Sequence, residues 1–265
     1  MNLFTKAIVS AAIIGVALTG CGEKKETELK VGAIAGSEAQ VAEQAAKVAK
    51  EKYGLNVKIV EFSDFATPNV ALNDGSIDVN AFQHKPYLDQ QIKDRGFKLV
   101  AVGNTFVYPI AAYSKKIKSM AELKDGAQVA VPNDPTNLGR SLLLLEKQGL
   151  IKLKEGAGLN ATKMDIVENA KNLDIVELEA AQLPRSLEDV DFAVINTVYA
   201  SQINLEPARD GLFVEDKDSP YVNLIVARED NKDSEAVKTF VKAYQDEAVF
   251  QKAVELFKGG VVKGW

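Results

Sequence analysis

From Leu29 onward the chain alternates short apolar runs with amphipathic stretches. Leu29 to Ala35 (LKVGAIA) predicts a strand. Behind it, Val41, Ala45, Val48 and Lys52 fall along one line with Ala42, Ala46, Ala49 and Tyr53 beside it, the spacing of one helical face. Ser37-Glu38-Ala39-Gln40 predicts a capping box at the start of that helix, the serine oxygen accepting a backbone amide and the glutamine reaching back. Gly54 predicts its end. Val57 to Glu61 is the next strand. Three further helices start with proline at the first helical position, where the missing N–H costs nothing. They begin at Thr67-Pro68, Lys85-Pro86 and Asp134-Pro135 and run toward Gly75, Gly96 and Gly149. Other strands are predicted at Asp78 to Phe82, Lys98 to Val102, Val107 to Tyr113, Gln128 to Val131, Ile175 to Leu178, Phe192 to Ile195 and Tyr221 to Ala227. Two helical segments, Ser234 to Gln245 and Ala248 to Lys258, close the chain. No internal repeat is visible.

Strands alternating with helices imply an α/β fold with mostly parallel sheets. The two longest apolar strands, Val107 to Tyr113 (VYPIAAY) and Tyr221 to Ala227 (YVNLIVA), bracket the middle of the chain. They predict paired crossovers between two lobes, residues 29–108 plus 226–265 forming the first and 109–225 the second. The C-terminal helices then pack back on the first lobe.

The residues before Leu29 follow another pattern. Met1 to Lys6 carries one positive charge, and Ala7 to Leu18 is a run of apolar and small residues, too short to cross a bilayer, which takes about 20. Residues 1–20 therefore predict a secretory signal peptide. Leu18-Thr19-Gly20-Cys21 resembles the bacterial lipobox, which makes Cys21 the lipidated first residue of the mature chain and residues 21–28 a flexible, charged tether. Cys21 is the single cysteine, so no intramolecular disulfide can form.

Composition narrows the function classes. Hydrophobic residues make up 46% and charged residues 26%, with a formal net charge of −5 from interspersed residues of both signs. No basic stripe is present to follow phosphates, which argues against nucleic acid as a partner. Nothing after residue 21 is apolar enough to span a membrane. One cysteine and one histidine exclude the usual zinc cluster, and there is no G-x-S-x-G elbow or P-loop. Gly156-Ala157-Gly158-Leu159-Asn160-Ala161 matches the loose dinucleotide pattern but follows a charged helix end rather than a strand. No metal, cofactor or catalysis is expected; His84 as a general base lacks an obvious second titrating group.

Ligands of open parallel sheets bind beyond the carboxyl ends of the strands. The residues at those ends are Ser37, Phe65, Phe82, His84 and Tyr87 in the first half, then Asn133, Asn137, Arg140 and Asn196, with Asn223 interrupting an apolar strand. A ligand there meets an apolar wall on one side and a polar clamp on the other. Arg140 lies near a helix start that already favours an anion, and its planar fork matches a carboxylate. Its other role is to pair with a nearby acid or stand in solvent. His84 and the aromatic residues have structural roles open to them as well, and the two strand asparagines could instead bond backbone groups.

At these residues the sequence resembles the methionine-binding lipoproteins of the MetQ/NlpA family, the substrate-binding components of methionine ABC importers. The likeness covers essentially the whole chain. It is most specific at Asn80 to Leu88 (NAFQHKPYL), Val131 to Arg140 (VPNDPTNLGR) and Ser219 to Leu224 (SPYVNL). The resemblance implies a type II periplasmic-binding-protein-like fold, two α/β lobes joined by two crossover strands with the ligand cleft between them. It also implies a thioether pocket at Phe82, His84 and Tyr87, with Phe65 where close members often carry tyrosine. By the same resemblance Asn137 and Arg140 hold the α-carboxylate, and Asn196 and Asn223 hold the backbone polar groups. The implied partners are methionine, an ABC permease and ATPase on other chains, and the membrane through lipid on Cys21, facing the periplasm or extracytoplasmic space.

Overall fold

A computed structural model describes residues 28–216, 219–258 and 260–265; the expected signal peptide (1–20), Cys21 and all but the last residue of the expected tether (21–28) lie outside them. In chain order, β1 (Leu29–Ile34), α1 (Ser37–Tyr53), β2 (Val57–Phe62), α2 (Thr67–Asn73), β3 (Val79–His84), α3 (Lys85–Arg95) and β4 (Leu99–Val107) come first. They are followed by β5 (Ala111–Tyr113), β6 (Gln128–Pro132), α4 (Pro135–Lys147), β7 (Lys152–Leu153), β8 (Ile166–Glu168) and β9 (Asp174–Leu178). Next are α5 (Leu183–Ser186), β10 (Phe192–Ile195), α6 (Thr197–Gln202), α7 (Pro207–Asp210) and β11 (Phe213–Val214). Last come β12 (Val222–Arg228), α8 (Glu235–Tyr244), α9 (Glu247–Leu256) and β13 (Val262–Lys263).

Two large sheets carry the lobes, ordered β2-β1-β3-β12-β4-β13 and β9-β6-β10-β5-β11. The plan is the same in both. A first strand sits between the second and third, and the next position is filled by a strand arriving from the other lobe. That strand is β12 in the first sheet and β5 in the second, each antiparallel to both neighbours. The sheets are therefore mixed rather than mostly parallel, because a strand that enters from the opposite lobe runs against its hosts. The repeat exists in topology without a repeat in sequence.

The chain crosses between sheets twice, through residues 108–110 between β4 and β5 and again between β11 and β12. Val107 to Tyr113 is thus not one strand: β4 ends at Val107 and β5 starts at Ala111, with Pro109 between them. The strand expected at Lys98 to Val102 runs further, as the nine-residue β4 that ends at Val107. The 225/226 division expected between the lobes falls inside β12, which lies wholly in the first sheet.

The buried face of α1 is the predicted one, with Val41, Ala42, Ala45, Val48 and Ala49 inside. These residues pack with Val237, Phe240, Ala243 and Val249 of the C-terminal helices in one core. The capping box at Ser37 does not form. Gly36 occupies the cap at φ 96° with no side-chain cap bond, a conformation glycine adopts readily. Ser37 is consequently inside the helix, and Glu38 turns into the core instead of staying at the surface. The second lobe has its own core, in which Leu142 and Leu145 of α4 meet Val129, Val131 and Phe192. Gly139 is obligatory there, since a Cβ would come within 2.2 Å of the Leu159 carbonyl oxygen. The Gly156–Ala161 stretch that matched a dinucleotide pattern is thus a short turn packed on α4.

Candidate ligand-binding site

The apolar side of the cleft grows out of β3. This strand is buried along its whole length and passes straight into α3, whose second residue is Pro86. His84 caps that helix: its Nδ1 accepts the Tyr87 N–H at 3.2 Å. Nδ1 therefore carries no proton, and Nε2–H donates to Asn137 Oδ1 at 3.2 Å across the cleft. Burial, reinforced by the positive charge of Arg140, pushes the His84 pKa down to about 3, so the ring is neutral at pH 7. Beside it, Phe65, Phe82 and Tyr87 form a triangle with ring centroids 6.0–6.3 Å apart. The Tyr87 hydroxyl donates to the Phe65 carbonyl at 2.8 Å, which locks the triangle from outside. Tyr199 of α6 closes on Phe65 at 4.9 Å.

The polar side comes from the start of α4 and the end of β10. Asp134 caps α4, accepting the Asn137 N–H at 3.0 Å, and burial pushes its carboxyl up against these hydrogen bonds. Asn137 spends its amide hydrogens on Asp134 at 3.0 and 2.9 Å. Its Oδ1 accepts from His84 and from Asn196 Nδ2, the latter at 3.0 Å. Asn137 is thereby saturated, whereas Asn196 Oδ1 is buried with no partner among the described residues. An acceptor left so costs about 1–3 kcal/mol, which marks it as a place for a donor.

Arg140 is 3% exposed and does not stand free. Its Nε donates to Glu215 Oε1 at 2.9 Å, its Nη2 to Glu215 Oε2 and to the Tyr108 carbonyl at 3.0 Å. The guanidinium lies 4.2 Å over the Tyr221 ring. One edge of the fork expected for a ligand carboxylate is thus held by an acid from the crossing segment, because burial of a guanidinium demands a counter-charge. Among the described residues, Nη1 makes no hydrogen bond.

All eight expected residues, Phe65, Phe82, His84, Tyr87, Asn137, Arg140, Asn196 and Asn223, line one pocket. Gln83, Tyr108, Thr197 and Val198 complete its lining. Ser37 and Asn133 are outside it; Asn133 borders a neighbouring pocket with Asp64 and Glu179. Sequence reasoning missed Glu215, Tyr221 and Asp134 as supports. Asp134 had a signal, since Asp before Pro at a helix start is an N-cap pattern. Glu215 had none.

Two lobes exchanging strands, with a pocket lined from both, define a solute receptor of the periplasmic-binding-protein type. The chain belongs to the NlpA lipoprotein family, whose model matches residues 29–265. A D-methionine-binding lipoprotein MetQ from Salmonella typhimurium is 70% identical over 98% of each chain. The crystal structure of a methionine-binding protein MetQ shares 71% identity at a TM-score of 0.89, over 90% of this chain and 98% of that one. A nutrient-binding protein from Burkholderia cenocepacia, solved bound to methionine, is 54% identical with a TM-score of 0.87, over 89% and 100%.

Proposed function

We propose that this chain captures methionine in the cleft and delivers it to the permease and ATPase of an ABC importer. It stays tethered to the membrane, on its extracytoplasmic side, by acyl chains on Cys21. The observation that carries the reading is the convergence of a neutral aromatic wall and an amide–guanidinium clamp on one pocket. The wall of Phe65, Phe82, Tyr87 and neutral His84 suits a flexible, uncharged thioether, each sulfur–aromatic contact adding about 0.3–1.5 kcal/mol. Arg140 takes the carboxylate end through Nη1, while Asn137, its amide hydrogens already spent on Asp134, orients His84 and Asn196 beside it. Asn196 Oδ1, lacking a donor, and Asn223 take the ammonium side. Since Glu215 already balances Arg140, the cavity favours a ligand whose own charges cancel, as a zwitterion's do. The relatives' names support methionine, and the D-form among them.

Among the described residues no helix is long and apolar enough to cross a membrane. The partners are separate chains, because no P-loop occurs in this sequence. Titration calorimetry and thermal unfolding with L- and D-methionine test the binding. A ligand at 100 times its Kd stabilises by about 2.7 kcal/mol, so melting should shift clearly upward. No shift with either enantiomer at millimolar concentration rejects the reading. Replacing Cys21 with Ala should release the protein from membranes without changing ligand affinity; a Cys21→Ala protein that remained membrane-bound would reject the anchor.

A further inference from the structure

Glu38 is 1% exposed, lies behind the cavity in the first turn of α1, and takes no part in the scheme above. Its two oxygens meet two donors: Oε2 accepts the Ile34 N–H and Oε1 accepts Asn223 Nδ2, each at 3.3 Å. Asn223 Nδ2 also donates to the Phe82 carbonyl at 3.1 Å. Two acceptors therefore claim both amide hydrogens of Asn223. A flipped amide would set its oxygen against the Phe82 carbonyl oxygen and lose that bond, so the Phe82 carbonyl sets the orientation and Glu38 holds the second amide hydrogen. The Asn223 carbonyl oxygen is left as the group this side chain offers to the cavity it lines.

A carboxyl suits this task better than an amide, which has one acceptor oxygen for two donors. Burial pushes its pKa up to about 8 against those hydrogen bonds, so at pH 7 it places no bare anion behind the site. Residues 34, 38, 82 and 223 all belong to the first sheet or to the helix packed on it. The orientation of Asn223 is thus set within one lobe, before any ligand bridges the cleft.

We propose that Glu38 is a positioning residue: through Asn223 it presents a carbonyl oxygen to the ligand's ammonium group, and so makes the site select α-amino acids over carboxylic acids of the same shape. This rests on the reading of the cavity as a methionine site. Methionine and 4-(methylsulfanyl)butanoate, which lacks only the amino group, separate the two ideas. Affinities for both are measured by titration calorimetry on the full-length lipoprotein in detergent, as parent and as Glu38→Met, which keeps the side-chain length and removes both acceptors.

The parent should favour methionine by roughly a hundredfold or more, as sites built to hydrogen-bond a ligand group do. Glu38→Met should lose roughly tenfold in methionine affinity, the worth of about one hydrogen bond, and leave the amine-free analogue within about twofold. A merely structural role would lower the melting temperature and weaken both ligands alike; that outcome, or an unchanged ratio, overturns the proposal. A crystal structure of the parent with methionine decides the matter even if Glu38→Met does not fold. The ligand nitrogen should lie within about 3.2 Å of Asn223 Oδ1, and a nitrogen seated on other groups overturns it. Failure of the parent to bind methionine at all removes the reading of the site and this inference with it.

Discussion

In the first lobe the cleft wall is held together by bonds that stay inside the lobe. Tyr87 reaches the Phe65 carbonyl, Asn223 is pinned by Glu38 and Phe82, and a closed set of amides braces β3 from behind. In that set Asn69 Nδ2 donates to Gln83 Oε1 at 2.8 Å, and Asn80 and Gln83 both donate to Asn69 Oδ1, at 2.9 and 2.6 Å. The second lobe differs. Its polar groups complete their hydrogen bonds outside it, Asn137 on His84 across the cleft and Arg140 on Glu215 in the crossing segment. Tyr199 and Gln202 of α6 reach over to the Ser63 and Ala35 carbonyls of the first lobe at 3.3 and 2.8 Å. The wall is preformed, whereas the clamp is complete only when the lobes meet. A ligand touching both sides then favours closure through its contacts with the closed state alone.

The largest test of that contrast falls on the clamp. Truncating one member of a buried charged pair costs about 2–5 kcal/mol, because its partner is left uncompensated. Arg140→Ala should weaken methionine binding by roughly 30-fold to several thousandfold. Arg140→Lys should recover part of the loss, keeping the charge but not the fork. Glu215→Gln separates two roles for the arginine. If Arg140 grips the ligand, this variant should leave binding within about tenfold of the parent; if Arg140 only anchors the crossing segment, the two variants should lose alike. Calorimetry on the folded variants reads both outcomes.

The contrast also explains what could be read from the chain beforehand. The strand-to-helix passages at His84-Lys85-Pro86 and Pro132-Asn133-Asp134-Pro135 were legible because each couples an apolar strand to proline at a helix start, and these passages aim His84, Asn137 and Arg140 into the cleft. The supports were not legible. Asn69 and Gln83 are 14 residues apart on different elements, and no periodicity announces such a pair. Glu215 lies 75 residues from Arg140, in a charged stretch whose pattern reads as surface. Glu38 looked like part of a capping box until Gly36 took the cap. The strands β7, β11 and β13, each of two residues, are too short to carry a pattern and are defined by their neighbours.

A smaller effect probes the wall through pH. Glu38 is raised from 4.5 to about 8, so the folded protein holds a proton there that the unfolded chain releases. The stability this confers is full below pH 4.5 and is lost as pH rises through 8. His84 is lowered from 6.5 to about 3, so its contribution is full above pH 6.5 and is lost as pH falls toward 3. Between pH 4.5 and 6.5 the two slopes oppose one another. Above 6.5 Glu38 acts alone, and at about 1.4 kcal/mol per pH unit it removes about 2 kcal/mol by pH 8. Unfolding by urea at pH 5, 6.5 and 8 should show this fall in the parent and not in Glu38→Gln. The difference between the two proteins cancels the other carboxylates, and a difference independent of pH would mean that Glu38 is ionised in the fold.

The smallest expected effect separates the two sides most cleanly. Norleucine replaces the methionine sulfur with a methylene and leaves the zwitterionic end unchanged, so the two ligands differ only where the aromatic wall meets them. Sulfur–aromatic contacts of about 0.3–1.5 kcal/mol give methionine a preference of roughly two- to tenfold. Phe82 sits 6.0 Å from both Phe65 and Tyr87, and Phe82→Leu keeps an apolar side chain there while removing the ring. That variant should bring the methionine-to-norleucine ratio toward one. Arg140→Lys should weaken both ligands together and leave the ratio alone, since distant groups without shared partners act additively. Should Arg140→Lys change the ratio as much as Phe82→Leu does, the wall and the clamp are one coupled unit, and the division between a preformed side and a closing side fails.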